Sequence, residues 1–352
     1  MASREYRERR MANKRSRKPS GKQVRTQPPR SCKRTQHRTL STTPSEQEQR
    51  PTLDQLPENV LLRVMQHLDV DTLLSCRLVC RRLGVLSLHP GAWRRRTLST
   101  IDVEGENTLT CAVLRLAPCL QHVTVVLPLG QSACRHLHTS TCAVAGLEVK
   151  DVAWTSHAAA LATRLIQRQA TIGRLKRVGV RFRESTVSEA DAPVLLGALM
   201  STPGLEELAL NVRLSQPFEL SSSMCGEFWL ERGSSLRRLY MAVKGAEPFA
   251  QFLLRMHAAT LEEVHFLGLY SLHVRMSIST LQLVAGLPRL RELTLHHDQP
   301  GLGFLAKCVS LRTLNIVVVE GEQYSAGAAE RLRQTRQRLD VKIRRMGADV
   351  AL

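Results

Sequence analysis

Six short segments of the chain share one pattern of apolar and charged positions. Each has leucine at position 1 and apolar residues at positions 4 and 6, and position 2 is charged in every copy. The segments begin at Leu175, Leu205, Leu236, Leu261, Leu290 and Leu311. Apolar triples alone would recur by chance in a chain that is 43% hydrophobic, but the charged position would not. The pattern therefore predicts a repeated structural unit.

Weaker copies extend the series in both directions. They begin at Leu98, Leu120, Val144 and Arg336, and successive starts lie 21 to 31 residues apart. Because positions 4 and 6 alternate with other residues, each copy predicts a short strand with one buried face. The segments between copies predict helices, over 186–200 with Val194, Leu195 and Leu199 inward, and over 248–256 and 276–287.

This arrangement resembles an irregular leucine-rich repeat, whose period is usually about 20–29 residues. No single strand–helix unit can bury its apolar face alone, so the units are expected to stack into a solenoid. The expected fold class is α/β, with parallel strands on a concave side and helices on the convex side. The polar Asn or Cys expected late in each unit is missing and several spacings run long. A globular α/β domain is the competing fold.

Upstream of the repeats, the chain has helical periodicity. Leu56-Pro57-Glu58 is typical of a helix start, because proline in the first turn loses no hydrogen bond. An apolar stripe with helical spacing follows, formed by Val60, Leu61, Val64 and Leu68. Asp69 and Asp71 are candidate caps of a second helix. That helix carries Leu73, Leu74, Leu78 and Val79.

Taken in order, these features resemble an F-box. The resemblance rests on Leu56-Pro57-Glu58, the apolar stripe, Leu68-Asp69, Leu73-Leu74, Val79-Cys80-Arg81-Arg82 and, after a proline, Trp93. Leu83 departs from the family, which often has an aromatic residue there. The resemblance implies that this unit docks onto the Skp adaptor of cullin-based ubiquitin ligases.

About forty residues cannot bury so many large apolar side chains, so some are expected to form the adaptor surface. The adaptor-binding candidates are Leu56, Pro57, Val60, Leu61, Val64, Leu68, Val79, Cys80, Leu83 and Trp93. Some of these are also expected to pack against the first repeat. Leu73, Leu74 and Leu78 are expected to be more internal.

The positive charge of the chain is concentrated at its N-terminus. The whole sequence has 50 Lys and Arg against 31 Asp and Glu, a net charge of +19, and residues 1–50 alone hold 15 basic and 4 acidic side chains. This segment has few apolar residues and is expected to be a disordered tail. Nuclear import, weak phosphate contact and simple solubility are the open interpretations of the tail. The predicted domains are therefore 1–50, 51–97 and 98–346.

The outward strand positions of the repeats predict a second binding surface for a protein substrate. The candidates are Arg177, Arg181, Arg183, Arg238, Tyr240, Lys244, Glu263 and His265, followed by Glu292, Thr294, His296 and Asn315. The basic part, 177–244, would favour an acidic or phosphorylated partner. A solvated strand face is the alternative for any single residue.

Candidate chemistry is sparse. We find no phosphate-binding Gly-rich loop, nucleophile elbow or His-Glu-x-x-His motif, so we predict neither an enzyme nor a cofactor. Cys134, His136, His138 and Cys142 are four metal-ligand types in nine residues. Their spacing is not that of a zinc site, and ordinary buried cysteines are the favoured interpretation. Nine cysteines without a secretory signal favour reduced thiols inside the cell.

The sequence thus predicts a substrate receptor of a Skp–cullin–F-box ubiquitin ligase. Its partners would be the Skp adaptor, the cullin scaffold and a protein substrate, with no membrane and no major role for nucleic acid. The expected location is cytoplasmic, nuclear or both. The alternatives are a repeat scaffold that recruits no ligase and a nucleic-acid-associated protein that uses the basic tail.

Overall fold

A computed structural model describes residues 55–100, 108–128, 137, 139–152, 157–216, 218, 233–242, 245–267, 276–296, 299, 301–319, 327–335 and 339–346. Leu53–Leu352 form one compact unit. The predicted basic tail lies outside the described residues.

Four short helices open the described chain. They are α1 (Glu58–His67), α2 (Val70–Cys76), α3 (Arg81–Ser87) and α4 (Pro90–Trp93). Asp69 caps α2, because its Oδ1 accepts a hydrogen bond from the Thr72 amide at 2.7 Å. Pro90 is the first residue of α4, where its missing N–H costs nothing.

A parallel sheet with intervening helices follows. The strands are β1 (Thr97–Ser99), β2 (Cys119–Leu120), β3 (His122–Leu127), β4 (Ala143–Val144), β5 (Gly146–Asp151), β6 (Arg177–Val187), β7 (Glu207–Leu214), β8 (Arg238–Ala242), β9 (Glu263–Phe266), β10 (Glu292–His296), β11 (Thr313–Val319) and β12 (Asp340–Met346). The helices are α5 (Thr108–Leu116), α6 (Ala158–Ile172), α7 (Asp191–Ser201), α8 (Glu247–Met256), α9 (Ile278–Ala285) and α10 (Gly327–Thr335), with a 3₁₀ helix at Leu302–Lys307.

The strand order follows the chain order. Among the described residues, ten strands form one sheet in the order β1-β3-β5-β6-β7-β8-β9-β10-β11-β12, and β2 pairs with β4. Each strand therefore stacks in parallel on the strand of the preceding unit. The architecture is mixed α/β, with short N-terminal helices, a large parallel sheet and a solenoid-like course of the chain.

The repeated apolar positions explain why this sheet forms. All the residues at positions 1, 4 and 6 of the six clear segments are buried, from Leu175, Val178 and Val180 to Leu311, Leu314 and Ile316. They share one core with inward residues of the helices, such as Leu195, Phe249 and Leu281. The predicted alternation is thus confirmed, and the burial of each unit depends on its neighbours.

The charged residue at position 2 lies just before each strand. Its amide bonds to the carbonyl of the equivalent residue in the preceding unit, as in Glu206 N to Lys176 O at 2.8 Å and Arg291 N to Glu262 O at 2.7 Å. The charged side chains therefore form a row along the strand entrances. Two ion pairs of described residues lie along this row, Lys176–Glu206 at 3.3 Å and Arg237–Glu262 at 2.6 Å.

The predicted register of the first and last repeat copies is wrong. Leu98 pairs with Val123, the fourth position of the next copy, so Leu98 is itself a fourth position. Leu314 pairs with Val341, so the last copy begins two residues after Arg336. These end copies have weak apolar patterns, and only the pairing with a neighbouring strand decides their alignment.

Predicted helix 186–200 begins too early. Thr186 and Val187 belong to β6, which continues past an irregularity and pairs again with Arg213 and Leu214. Val194 of the predicted apolar set is exposed, whereas Leu195 and Leu199 are buried. The helices predicted over 248–256 and 276–287 correspond to α8 and α9.

The N-terminal helices pack against the start of the sheet through hydrogen bonds around Arg96. Its guanidinium donates to Met65 O at 2.8 Å and to Ala92 O at 2.9 Å, which joins α1 to α4. Its backbone carbonyl accepts a hydrogen bond at 2.8 Å from the backbone amide of Gln121, which lies next to β3.

Within the described residues, no helix is both long and apolar enough to cross a bilayer.

Candidate functional sites

The first candidate site is an apolar surface on the N-terminal helices. Ten large apolar side chains are exposed in the described residues, and five of them are Val60, Val64, Leu78, Val79 and Val85. The other five are scattered from Val152 to Ile343. Such a concentration on so short a segment is typical of a protein interaction surface.

The helix α1 has two apolar sides with different roles. Leu61 and Met65 are buried in the core, while Val60 and Val64 are 38% and 47% exposed. Val60 and Val64 are four residues apart, so both lie on one outer side of the helix. The Arg82 guanidinium donates to Leu56 O at 2.6 Å, which places the start of α3 beside the start of α1.

Some of the adaptor candidates remain exposed in this arrangement. We call these exposed candidates the helical surface. It consists of Pro57, Val60, Val64, Val79 and Cys80. The candidates Leu56, Leu68 and Leu83 are half-buried and pack against the core.

Two adaptor candidates lie beneath this surface. Leu61 and Trp93 are 2% and 0% exposed. The indole Nε1 of Trp93 donates to Ser87 O at 2.6 Å, and the Arg96 guanidinium lies 5.8 Å from the ring centre. Both side chains therefore hold the helices together in this structure and do not face a partner.

The prediction that Leu78 is internal is wrong. Helix α2 ends at Cys76, and the Leu78 amide bonds to Ser75 O in the turn that follows. This early end leaves the Leu78 side chain 88% exposed, whereas Leu73 is buried and Leu74 half-buried.

The second candidate site is the strand face whose side chains alternate with the core residues, which we call the polar face. Continuous register aligns these side chains in rows across the sheet. Row one contains Arg177, Glu207, Arg238, Glu263, Glu292, Thr313 and Asp340. Row two contains Ser99, Thr124, Glu148, Gly179, Ala209, Tyr240, His265, Thr294, Asn315 and Lys342.

The structure brings most substrate-binding candidates together on this face. Arg177, Arg238 and Glu263 lie in row one, and Tyr240 and His265 lie in row two. Arg181 is aligned with Lys150 and Asn211 in a third row. Arg183 belongs to β6, but its side chain lies outside the described part, as does the whole of Lys244.

Carboxylates on neighbouring strands pair with two arginines of the predicted basic part, Arg181 and Arg238. Glu148 contacts Arg181 at 3.0 Å and Lys150 at 3.2 Å, and its Oε2 lies 3.9 Å from His122 Nε2. Burial raises the pKa of Glu148, but the nearby His122 and the charges of Arg181 and Lys150 outweigh it, so that the pKa is about 2. We call these residues the Glu148 cluster.

Row one contains one further pair of opposite charges, and another candidate arginine bonds to a backbone carbonyl. Arg238 lies 3.4 Å from Glu207, and Arg177 Nη2 donates to the Gln121 carbonyl at 3.4 Å. The predicted basic part therefore has less free positive charge than its arginines alone indicate. Glu148 and Glu207 were missed as site residues, although both occupy outward strand positions that the repeat pattern identifies.

Later in the sheet, row two forms a polar network. The His265 Nδ1 and Thr294 Oγ1 atoms are 2.7 Å apart, and Asn315 Nδ2 donates to Glu292 Oε1 at 2.8 Å. Tyr240 stacks on His265 with ring centres 4.4 Å apart. Burial lowers the pKa of His265, which favours the neutral imidazole. Burial and the charge of Glu263 raise the pKa of Tyr240 to about 12.

The metal-ligand candidates are only partly described. Cys134, His136 and His138 lie outside the described residues, and Cys142 is buried. Burial and nearby Cys119 raise the pKa of the Cys142 thiol to about 12. No group of three or more His, Cys, Asp or Glu within the described ranges is arranged to hold a metal ion.

Comparison with known families identifies the N-terminal helices. Residues 53–99 match the F-box-like family. This segment contains the helical surface, and F-box domains typically bind Skp adaptors. The match supports the interpretation of the chain as an F-box protein and suggests a ubiquitin ligase adaptor role. No curated protein matches the chain significantly.

Proposed function

We propose that this protein is a substrate receptor of a Skp–cullin–F-box ubiquitin ligase. In this proposal the F-box-like segment binds the Skp adaptor, and the polar face of the sheet binds a protein target. The observation that carries the proposal is the match of residues 53–99 to the F-box-like family together with the exposed apolar side chains on the same segment. We further propose that the parallel sheet is an irregular leucine-rich-repeat solenoid.

The proposed mechanism is tethering. The receptor would perform no bond chemistry itself, because its role is to hold a target near the charged ubiquitin-conjugating enzyme. Tethering raises the effective concentration of target lysines at the enzyme and removes the entropic cost of a separate encounter. The cytoplasm and the nucleus are both compatible with this role.

Adaptor capture by the full chain tests the first step. We expect the double substitution Val60→Asp and Val64→Asp to weaken capture of the Skp adaptor about tenfold or more, because it places unpaired carboxylates in an apolar interface. These exposed residues are better targets than Leu61, whose substitution would disrupt the core. The measurement is a quantitative pull-down with purified adaptor.

Val309→Asp is the matched control, because Val309 is 87% exposed but lies near the far end of the sheet. It should retain the adaptor fully. Retention of the adaptor by the double variant at the level of the original protein would refute adaptor docking through this surface. Co-purification of a cullin from cells would separate a ligase receptor from a repeat scaffold that recruits no ligase.

A further inference from the structure

Two carboxylates stand side by side on the polar face, and among the described residues neither forms an ion pair with a lysine or arginine. Glu263 and Glu292 are direct neighbours on β9 and β10, where parallel strands lie about 4.8 Å apart. Other carboxylates of row one have partners, since Glu207 pairs with Arg238 and Asp340 pairs with Lys342 at 3.0 Å.

Within the described part of the chain, no lysine or arginine forms an ion pair with Glu263 or Glu292. Arg238 is the direct neighbour of Glu263 on β8, but it pairs with Glu207. The imidazole Nε2 of His265 is 4.0 Å from Glu263 Oε2. Burial keeps this imidazole neutral by lowering its pKa. Like charges directly opposite on neighbouring strands are destabilising. Such an uncompensated local conflict is typical of a functional position.

Buried polar atoms beside the two carboxylates also have no hydrogen-bond partner. His265 is 9% exposed, and its Nε2 lies 4.0 Å from Glu263 Oε2 without a hydrogen bond. Asn315 is 3% exposed, and its amide nitrogen donates to Glu292 while its Oδ1 is unsatisfied. Buried polar atoms normally have partners, so these two atoms leave hydrogen-bonding capacity beside the carboxylates that a ligand could use.

The surrounding side chains define the chemistry of that ligand. The available hydrogen-bond acceptors are the carboxylates of Glu263 and Glu292 and the side-chain amide oxygen of Asn315. The Tyr240 hydroxyl donates to Glu263 Oε2 at 3.4 Å, and the Tyr240 ring stacks in parallel on His265. A group of acceptors beside an aromatic pair suits a cation with several N–H donors.

We propose that Glu263, Glu292, Asn315 and the Tyr240–His265 pair form a recognition site for an arginine or lysine side chain of a partner protein. This proposal rests on the proposed function only for the identity of the partner, which would be the ligase substrate. It reverses the charge preference predicted from the sequence, because Arg181 and Arg238 of the predicted basic part pair with carboxylates, whereas Glu263 and Glu292 form no ion pair with a described lysine or arginine.

Binding of short peptides to the full chain tests the site. The probes are two fluorescein-labelled octapeptides, one alternating glycine with arginine and the other alternating glycine with glutamate. The chain carries a net charge of +19, so overall electrostatics favours the glutamate peptide. We expect the arginine peptide to bind more tightly, and the double substitution Glu263→Gln and Glu292→Gln to weaken its binding about tenfold or more in fluorescence anisotropy.

Glu207→Gln is the matched control, because it removes one carboxylate from the same row at a position that already pairs with Arg238. It should change the affinity less than about twofold. If Glu207→Gln weakens peptide binding as much as the double substitution does, the overall negative charge of the polar face is enough to explain the binding. That result would overturn the proposed site. Absence of binding to the original chain, or no effect of the double substitution, would also overturn it.

The chain's own basic tail is another possible occupant. Substitution of Lys14, Arg15, Arg17 and Lys18 by Gln in the full chain should leave the peptide affinity unchanged. A clear gain in affinity would show that the tail occupies the site and would overturn the assignment to a partner. Adaptor capture is measured on the same preparations, so loss of the adaptor function and loss of this site are seen separately.

Discussion

At the scale of single residues, the structure distinguishes charges that have partners from charges that do not. Glu148 is the best-satisfied carboxylate of the polar face, with Arg181, Lys150 and His122 around it. Its side chain is 14% exposed, so removing it leaves cations poorly compensated. The Glu148 cluster therefore stabilises the early part of the sheet.

We expect Glu148→Gln to lower the free energy of unfolding by about 1–2 kcal/mol at neutral pH, an effect limited by solvent screening of the exposed cations. The folded-state pKa is about 2 against an ordinary value of 4.5. The carboxylate therefore stabilises the fold fully above about pH 4.5, and this contribution is lost as the pH falls through about 2.

Urea denaturation of both proteins across this pH range measures the effect. The stability difference should shrink steadily on acidification. Glu206→Gln serves as the control, since its pair with Lys176 is 48% exposed on both sides and is expected to contribute little. A stability difference that is the same at pH 3 and pH 7 would contradict the assigned role of Glu148.

At the scale of elements, helix ends and helix interiors place opposite demands on glycine. Gly173 ends α6 with φ of 81°, in the left-handed region, and its amide bonds to Ala170 O at 3.1 Å. Gly197 lies inside α7, where the backbone is helical. Nothing lies within 4 Å of a Cβ added at either position. Substitutions at these sites therefore report backbone conformation without a packing change.

We expect Gly173→Ala to destabilise the protein by about 1 kcal/mol, because alanine is strained in the left-handed region. Gly197→Ala should stabilise it by about 0.5–1 kcal/mol, because alanine is the better helix former. Thermal unfolding of the two single variants checks both signs. Stabilisation by Gly173→Ala would show that α6 does not end as described.

At the scale of the whole molecule, the F-box-like segment and the sheet form one packed unit. Arg96 contacts both, through its side chain toward α1 and α4 and through its carbonyl toward Gln121. Burial lowers the pKa of the guanidinium, although nearby Asp69 opposes this effect. The helical surface therefore depends on a residue that is not part of it.

We expect Arg96→Ala to lower the local stability of α1 by about 2–3 kcal/mol, because the carbonyls of Met65 and Ala92 lose a charged donor. Hydrogen exchange of the α1 amides is the measurement. Arg95→Ala is the control, since Arg95 is exposed and should change α1 protection by less than about 0.5 kcal/mol. Unchanged α1 protection in Arg96→Ala would contradict the linking role.

Much of the fold was predictable from the sequence because it depends on local periodicity. The strands from Leu175 to Ile316 repeat the same apolar spacing, and the first two helices begin at recognisable signals, Pro57 and Asp69. The row of charged residues at the strand entrances was visible as position 2 of each repeat. These features follow from residues close together in the chain, so a single sequence contains them.

The tertiary structure determined which side chains lie next to each other. It buried Leu61 and left Val64 exposed, although both lie on the same predicted stripe, and it aligned Leu98 and Val341 with fourth positions. It also paired Arg181 with Glu148 and left Glu263 beside Glu292. The sequence of one unit determines which side chains face outward. Which of them meet across strands depends on the stacking register, and that register is a property of the assembled units.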